Sequence, residues 1–523
     1  MPAMTINRLE WSLNGKEGVL MINRRFFIKS GVAVAGLSLA GSVQAKNDDS
    51  NNYDEIFDIV IIGSGFGGCA AAVDATKSGK KVLLFEKMPG FGGNSCINGG
   101  AMAVAGSPLQ QAKGVEDSVD LMISDMLKAG RNLGDPELVK LVANESQSSY
   151  EFLIDCGVRF KDTLMHFGGH THPRIIQTIN AVGGDMTVAM LKVAMSHGLD
   201  ARKNCHFDKI FLAEDGSVKG IEIREDYFYE NNQSGRKKRI GIKLGLIVAT
   251  GGFAADTEFR KAQVPTLDEH ISTTNHKGGS ASGLCSMLQI GAWPIQLSQI
   301  QVGPWTSPDE YGFGHTPFNS VGTFPYGLTV DVKTGQRFFN EMADRKERSD
   351  AIMTRRDEQG EPIYPVAFVS QTAVDKYPGS FYILESGLFS GVIKKFNDIK
   401  QLANHYGIPY DGLNAQVERF NEDIKSGRDS QFKRHNLKAV PLLGDGPFYA
   451  IRLWPKAHYT MGGVKINANA QVINMYNKDP IPKLYAAGEV TGGIHGGTRL
   501  GGCAIAEAIA TGRRAVAHCI SEA

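Results

Sequence analysis

The six residues Gly63-Ser64-Gly65-Phe66-Gly67-Gly68 have the spacing G-x-G-x-x-G, and Glu86 follows 18 residues after Gly68 with Lys87 beside it. Such a set can hold a dinucleotide. Gly63 permits a tight turn, Gly65 lets the backbone approach a pyrophosphate, and Gly68 lets a helix pack closely on a strand. A helix opening at Phe66 and Gly67 would point its N-terminus at the anion, and Glu86 would accept from ribose hydroxyls. The motif alone is weak, so its flanks decide. Residues 57–62 form a short β-branched run, an Ala-rich helical stretch extends to Ser78, and residues 81–85 form a second apolar run. That is a β-α-β unit with both strands patterned as buried parallel strands.

Further glycines cluster where later elements would meet the same ligand. Glycine supplies 61 of the 523 residues, against a usual share of about 7%. Gly93-Asn94-Ser95 and Gly99-Gly100 fall in a small-residue loop after Glu86. Thr250-Gly251-Gly252 ends a strand-like run, and Gly283 lies a short way on. Gly488-Glu489 follows another strand, and Gly501-Gly502 opens the last helix at Ala504 and Ile505. A ligand touched at both ends and in the middle of the chain is elongated and largely enclosed. The pattern resembles FAD flavoproteins and implies FAD held without a covalent link. Glu489 would bind the ribityl chain, and the Gly502 helix start would face the pyrimidine edge with its dipole and free N–H groups.

Composition narrows the function classes. Lys and Arg (56) nearly cancel Asp and Glu (55), a net charge of +1, which argues against nucleic acid as a partner. The seven cysteines are scattered with no C-x-x-C, which excludes a tetrathiolate zinc site and a C-x-x-C-H haem attachment and leaves free, mostly buried thiols as the expectation. No metal is expected. His166, His170 and His172 sit in a glycine-containing loop and are expected to line the cofactor or substrate space. The basic run 236–239 is expected at a solvated hairpin tip on which an acidic cytochrome could dock. Near the start, Arg24-Arg25-Phe26-Phe27-Ile28-Lys29 precedes an apolar stretch ending in Val43-Gln44-Ala45. This resembles a twin-arginine (Tat) signal over residues 1–45 and implies a periplasmic protein without stable membrane insertion. Met21 would be a natural start, and residues 46–56 read as a polar linker.

A more specific resemblance rests on two stretches near the C-terminus: His458-Tyr459-Thr460-Met461-Gly462-Gly463 and the run from Gly488 through His495 and Arg499 to Gly502. With Thr274-Asn275-His276 and Arg337-Phe338-Phe339-Asn340-Glu341 in the same order, the chain resembles the soluble periplasmic fumarate reductase-like flavoproteins of the succinate dehydrogenase/fumarate reductase flavoprotein superfamily. The resemblance implies an α/β fold: a Rossmann-like FAD-binding domain, residues 54–298 and 458–523, split in sequence by an α+β capping domain at 299–457. It implies that flavin N5 passes a hydride to the β-carbon of an activated alkene. Arg345 then protonates the α-carbon, while His458 and Arg499 polarise the substrate carboxylate. The family's proton relay to that arginine falls at about Val321 and Phe324, so it is missing or rebuilt, with Tyr326, Tyr311, His315 and Glu310 as replacements. The family's second carboxylate site falls near Gly303. There Trp305, Phe313, Phe324 and Tyr326 suggest an aromatic wall, with Trp305 and Tyr326 as substrate contacts. Cys503 stands where the family has asparagine.

These residues together imply a reductase of α,β-unsaturated monocarboxylates, urocanate-, cinnamate-, acrylate- or methacrylate-like, fed by a separate periplasmic cytochrome or flavin donor. The alternatives are fumarate reductase proper, a flavin dehydrogenase of the 3-ketosteroid Δ1-dehydrogenase type, and a non-enzymatic flavin electron-transfer subunit.

Overall fold

A computed structural model describes residues 10–13, 16–19 and 52–523. In the first segment, strands Glu10–Leu13 and Lys16–Val19 pair antiparallel. The paired arginines and apolar run of the expected export signal lie outside the described residues. Residues 52–523 form one compact unit. Among the described residues no helix is long and apolar enough to cross a membrane.

The β-α-β unit expected from the glycine motif is present as β1 (Glu55–Ile62), α1 (Phe66–Lys77) and β2 (Val82–Phe85). Glu55 and Ile56, expected in the linker, already belong to β1. Both pair with the chain across from them, opposite Ile240 and Gly241. The strand run continues with β3 (Asp200–Arg202), β4 (His206–Leu212), β5 (Val218–Glu225) and β6 (Arg236–Val248). Near the C-terminus come β13 (Gln471–Ile473) and β14 (Pro480–Ala486). The sheet order is β13-β14-β6-β1-β2-β3, with β5 also on β6 and β4 on β5. The strands from β14 to β3 are parallel. Ile59, Val60 and Ile61 of β1 and Leu83 and Leu84 of β2 are fully buried, as a parallel strand covered on both faces requires.

The last helix, α4 (Cys503–Ser521), crosses α1 at close range. A Cβ on Gly512 would stand 2.2 Å from the Gly67 carbonyl oxygen. The small residues at this crossing are what lets the two helices touch.

Between these halves lies an antiparallel sheet of β8 (Leu328–Val330), β9 (Val366–Ser370), β10 (Lys394–Phe396) and β11 (Phe448–Arg452), in the order β8-β9-β11-β10. Its period of two is visible in the packing. Val366, Phe368, Phe448 and Ala450 join one core cluster, and Ala367, Val369, Tyr449 and Ile451 join another. Strand β9 begins at Val366 because Pro365 has no N–H for the ladder. A helix from Tyr410 to Ser426 packs on the first of these clusters through Leu413, Val417 and Phe420. Ala254, Leu267 and Ile271 also pack into the second of these clusters.

The basic run 236–239 corrects its expectation. It opens β6 rather than forming a tip, because it pairs with residues 222–225 of β5. Arg236 reaches Glu225, Lys237 reaches Glu222, and Lys238 reaches Glu55 and Glu225. Arg236, Lys237 and Lys238 are thus each matched by a carboxylate.

Candidate active site and cofactor cavity

A cavity of about 1480 Å³ runs from the Gly63–Gly67 turn to the start of α4. Pockets for one small ligand span about 300–1,000 Å³, so this one has room for a dinucleotide and a substrate. Gly63 has φ +96°, and a Cβ there would stand 2.4 Å from the Ala249 carbonyl oxygen, so only glycine makes this turn. Phe66, Gly67, Lys87, Gly93, Asn94, Ser95, Gly99, Thr250, Gly251, Gly283, Gly488, Glu489, Gly502, Ala504 and Ile505 all line the wall. Glu86 does too, its carboxylate accepting from the Ser64 N–H and hydroxyl and from the Met88 N–H. Gly68, Gly100 and Gly252 lie behind the wall. A Cβ on Gly68 would meet the Gly63 oxygen at 2.0 Å, one on Gly100 the Thr178 hydroxyl at 2.3 Å, and one on Gly252 the Thr460 hydroxyl at 2.2 Å. They allow close packing rather than contact. The Thr250 hydroxyl, the Trp305 indole N–H and the Arg499 Nε–H are buried without a partner among the described residues, and all three residues face this space. A polar ligand is what would satisfy them, and the glycine cradle together with these orphaned groups fits FAD.

Glu489 is enclosed by the protein, and burial pushes its carboxyl up to about 7, against the opposing pull of the Thr460 N–H. The folded value lies above the ordinary 4.5, so the folded state holds the proton that the unfolded chain gives up. That contribution to stability is present at acid pH and is lost as the pH rises through about 7. In protein stripped of FAD, melting temperature followed from pH 5 to 8 should fall more steeply for the wild type than for Glu489→Gln. The difference should approach one proton, about 1.4 kcal/mol per pH unit. Parallel curves would mean that the carboxylate is already ionised.

The other end of the cavity gathers cations. Strand β7 (Ile300–Gly303) pairs with β12 (Lys456–Thr460), Gln301 opposite Tyr459 and Val302 opposite Ala457. His458 is the extra residue between these pairs, so a bulge aims its ring at the cavity. Arg499 Nη2 lies 3.3 Å from His458 Nε2, and the Thr274 hydroxyl 2.8 Å from Nδ1. A guanidinium only donates, so Nε2 accepts and the ring proton sits on Nδ1. The Thr274 hydroxyl can either accept or donate, so it supports both tautomers. Burial, then the charges of Arg499 and Arg345, hold His458 well below its ordinary value, so the ring is neutral. The Arg499 guanidinium rests 4.5 Å over the Tyr459 ring, whose hydroxyl donates to Glu507 at 2.7 Å.

Arg345 starts helix α3 (Arg345–Met353), which Asp344 caps by accepting from the N–H groups of Lys346 and Glu347. Its guanidinium lies 4.7 Å over Trp305, with one hydrogen bond of 3.4 Å to the Gln301 amide oxygen. Burial lowers its pKa to about 9, reinforced by the charges of Arg499 and Arg348. Arg348, one turn along, also faces the cavity, 4.8 Å over Phe324, and burial lowers it to about 10. None of Arg345, Arg348 and Arg499 has an ion pair among the described residues. Three guanidiniums without a carboxylate, beside a neutral imidazole, form a site for an anion that also needs a proton donor.

Trp305, Phe313, Phe324 and Tyr326 line the wall as expected, as do Val321 and Ser320. Tyr326 stacks on Tyr377 at 4.0 Å. The other expected relay residues are elsewhere. Tyr311 is 97% exposed, and Glu310 and His315 pair with each other at 2.6 Å away from the cavity wall. Arg348 was missed in the sequence because it sits in the charged run from Asp344 to Arg348, although the i, i+3 spacing from Arg345 was a signal that both share a helix face. Five of the seven cysteines are buried, and burial pushes the Cys503 thiol up to about 12, so it stays protonated. Among the described residues no cluster of His, Cys, Asp or Glu has the makings of a metal site.

Residues 58–505 match the family model described as the FAD binding domain. The chain is 41% identical to the acrylate reductase flavoprotein subunit of Shewanella woodyi, over 95% of this chain and 98% of that one. It is 34% identical to a fumarate reductase (cytochrome) of Shewanella frigidimarina, over 88% of this chain and 76% of that protein. Among solved structures, the open conformation of a flavocytochrome c3 fumarate reductase aligns over 90% of this chain and 79% of its own, with a TM-score of 0.76 and 29% identity.

Proposed function

The chain belongs to the FAD binding domain family and is an FAD-dependent oxidoreductase of the CH–CH class, and from that premise we propose that it reduces the C=C bond of a small α,β-unsaturated carboxylate. The observation that carries this reading is the convergence of Arg345, Arg499 and His458 on one cavity, with no carboxylate of the described residues paired to either guanidinium. FAD, when bound, supplies two electrons to the alkene. Arg499 offers a two-pronged fork to the carboxylate, with the orientation of that fork set by His458 and Tyr459. Negative charge grows toward the carboxylate as the alkene is reduced, so donors fixed there lower the barrier. Arg345 holds a proton that burial and two neighbouring cations make unusually easy to release. In this reading it delivers that proton to the α-carbon. Trp305 and Phe313 flank His458 with ring centroids at 5.7 and 6.0 Å and keep water away from the transfer.

We assign the substrate to the monocarboxylic enoates, acrylate-, methacrylate-, cinnamate- or urocanate-like, because the cavity wall beside the carboxylate clamp, with Trp305, Phe313, Phe324 and Tyr326, is largely aromatic. The likeness to an acrylate reductase subunit over nearly the full length of both chains supports this. Arg348 favours a second reading, fumarate, since its guanidinium over Phe324 supplies a further cation in the same cavity. The residues 299–457 act as the capping domain, and the electrons come from a separate periplasmic cytochrome or flavin carrier after Tat export.

A panel of enoic acids given to the purified protein with reduced methyl viologen tests the reaction. Acrylate or another monocarboxylate is expected to reoxidise the dye fastest, and fumarate more slowly. Faster reoxidation by fumarate selects the second reading. Turnover of a cyclic enone or 3-ketone but no acid would overturn both and favour the ketosteroid type. Rapid exchange with a cytochrome and no turnover of any acid would favour an electron-transfer subunit.

A further inference from the structure

The histidine loop 166–172 does no chemistry in the reading above, yet one of its members is joined to the start of α4. His170 is buried, its Nε2 is 2.7 Å from the Gly501 carbonyl oxygen, and its Nδ1 is 3.3 Å from Arg174 Nη1. Arg174 only donates, so Nδ1 accepts and the ring proton must sit on Nε2, donating to Gly501. Arg174 is itself wholly buried and fixed on both sides. Asp117 accepts two of its N–H groups at 2.8 Å each, and Asp125 accepts a third at 2.6 Å. The two carboxylates are held in turn by the Gln110 amide and the Thr171 N–H. Burial lowers His170 to about 4, so this neutral tautomer persists at ordinary pH.

What the clamp holds is the turn that opens α4. Gly502 caps the helix at φ +81°, and its carbonyl oxygen accepts from the Ala103 N–H at 3.1 Å. A Cβ on Gly501 would stand 2.9 Å from Phe167 and 3.4 Å from Arg345. Both carbonyls of the pair are tied back into the protein, and the Cys503 N–H donates to the Leu500 carbonyl at 3.3 Å, so the N–H groups left for the cavity are the next ones of the first turn, at Ala504 and Ile505, which line it.

We propose that His170, held by Arg174, is a positioning residue for the flavin end of the FAD site, fixing the Gly501–Gly502 turn so that the α4 N-terminus presents its N–H groups to the cofactor. The inference rests on FAD binding and on this turn being a cofactor contact. It is independent of which substrate is reduced. Reduced FAD carries more negative charge than oxidised FAD, so a fixed helix N-terminus stabilises the reduced form more.

The test uses flavin-stripped full-length protein, titrated with FAD by fluorescence, and the reloaded protein, measured for midpoint potential without any substrate. His170→Leu is expected to raise the FAD dissociation constant about tenfold and to lower the midpoint potential. His170→Gln keeps an N–H at the same reach and is expected to restore both. His170→Asn, too short to reach Gly501, should behave like His170→Leu and replaces it should the leucine variant fail to fold. An FAD affinity within twofold of wild type and an unchanged potential in the Leu or Asn variant would overturn the proposal. So would a loss of melting temperature that His170→Gln fails to reverse with the potential unmoved, since that is a merely structural role. Absence of enoate turnover in the wild type would leave these readouts intact, so the two readings fail separately.

Discussion

Arg345→Met is expected to lower kcat with the best enoate by at least about 10³-fold, while FAD loading and melting temperature stay near wild type. General acids contribute about 10²–10⁴ to rate. Lys346 points away to Asp350 at 2.6 Å, His458 is neutral with its ring proton engaged, and Arg348 lies over Phe324 and is lowered only to about 10. The methionine fills the same space over Trp305, so packing is kept. Arg345 has no ion pair to lose, and removing a buried unpaired cation costs the fold little. The KM should change less than kcat if Arg345 acts on the α-carbon, and by as much if it only binds the carboxylate. Arg345→Lys should recover part of the rate, because an ammonium also carries a proton but lacks the planar fork. The acid is lost as its proton is lost, so kcat should fall above about pH 9 in the wild type. Dye reoxidation by the methionine variant within tenfold of wild type would remove Arg345 from the mechanism. Arg348→Met adds a control: if Arg348 supplies repulsion that eases proton release, its loss moves the upper limb of the pH profile to higher pH.

What the sequence could and could not yield follows from range. The Gly63 turn was legible because its requirement is local: a positive φ and a carbonyl 2.4 Å from any Cβ leave only glycine. The parallel strands were legible because burial on both faces writes an unbroken apolar run. The pairing of His458 with Arg499 was legible only through resemblance, since the contact joins residues 41 apart in sequence. The bulge that aims His458 depends on the register of β7 against β12, which no local pattern encodes. The run at 236–239 was misplaced for a similar reason. Four consecutive basic residues look like a loop until the opposing strand is known to carry Glu222 and Glu225. Tyr311, a proton donor by type, lies in solvent, and its neighbours Glu310 and His315 satisfy each other, an outcome no local pattern encodes. His170 carried no signal beyond its type, as its partner Gly501 is 331 residues away.

Arg499→Met is expected to be the more damaging of the two changes at the carboxylate clamp, with kcat/KM reduced by about 10³–10⁴ and both kcat and KM affected. In the proposed reaction the guanidinium would give charge-assisted hydrogen bonds to the acid, felt before reaction and more strongly as charge develops on the carboxylate. His458→Ala should cost less, about 10²-fold, because the imidazole is neutral and its present bond is to Arg499 rather than to an empty space. The two effects should not add. With Nη2 and Nε2 3.3 Å apart, each single change already disorders the other, so the double variant should fall short of the product of the two losses. Thr274 sets the sign of a further check. Its hydroxyl is the partner of Nδ1 at 2.8 Å, so Thr274→Val should mimic part of the His458→Ala loss in wild-type protein and do nothing further in the His458→Ala background. Measured by dye reoxidation across the cycle, strict additivity would mean that His458 and Arg499 act on separate parts of the substrate. Unaltered kcat/KM in both single variants would remove the carboxylate clamp altogether, and with it the reason for reading the cavity as a site for an unsaturated acid.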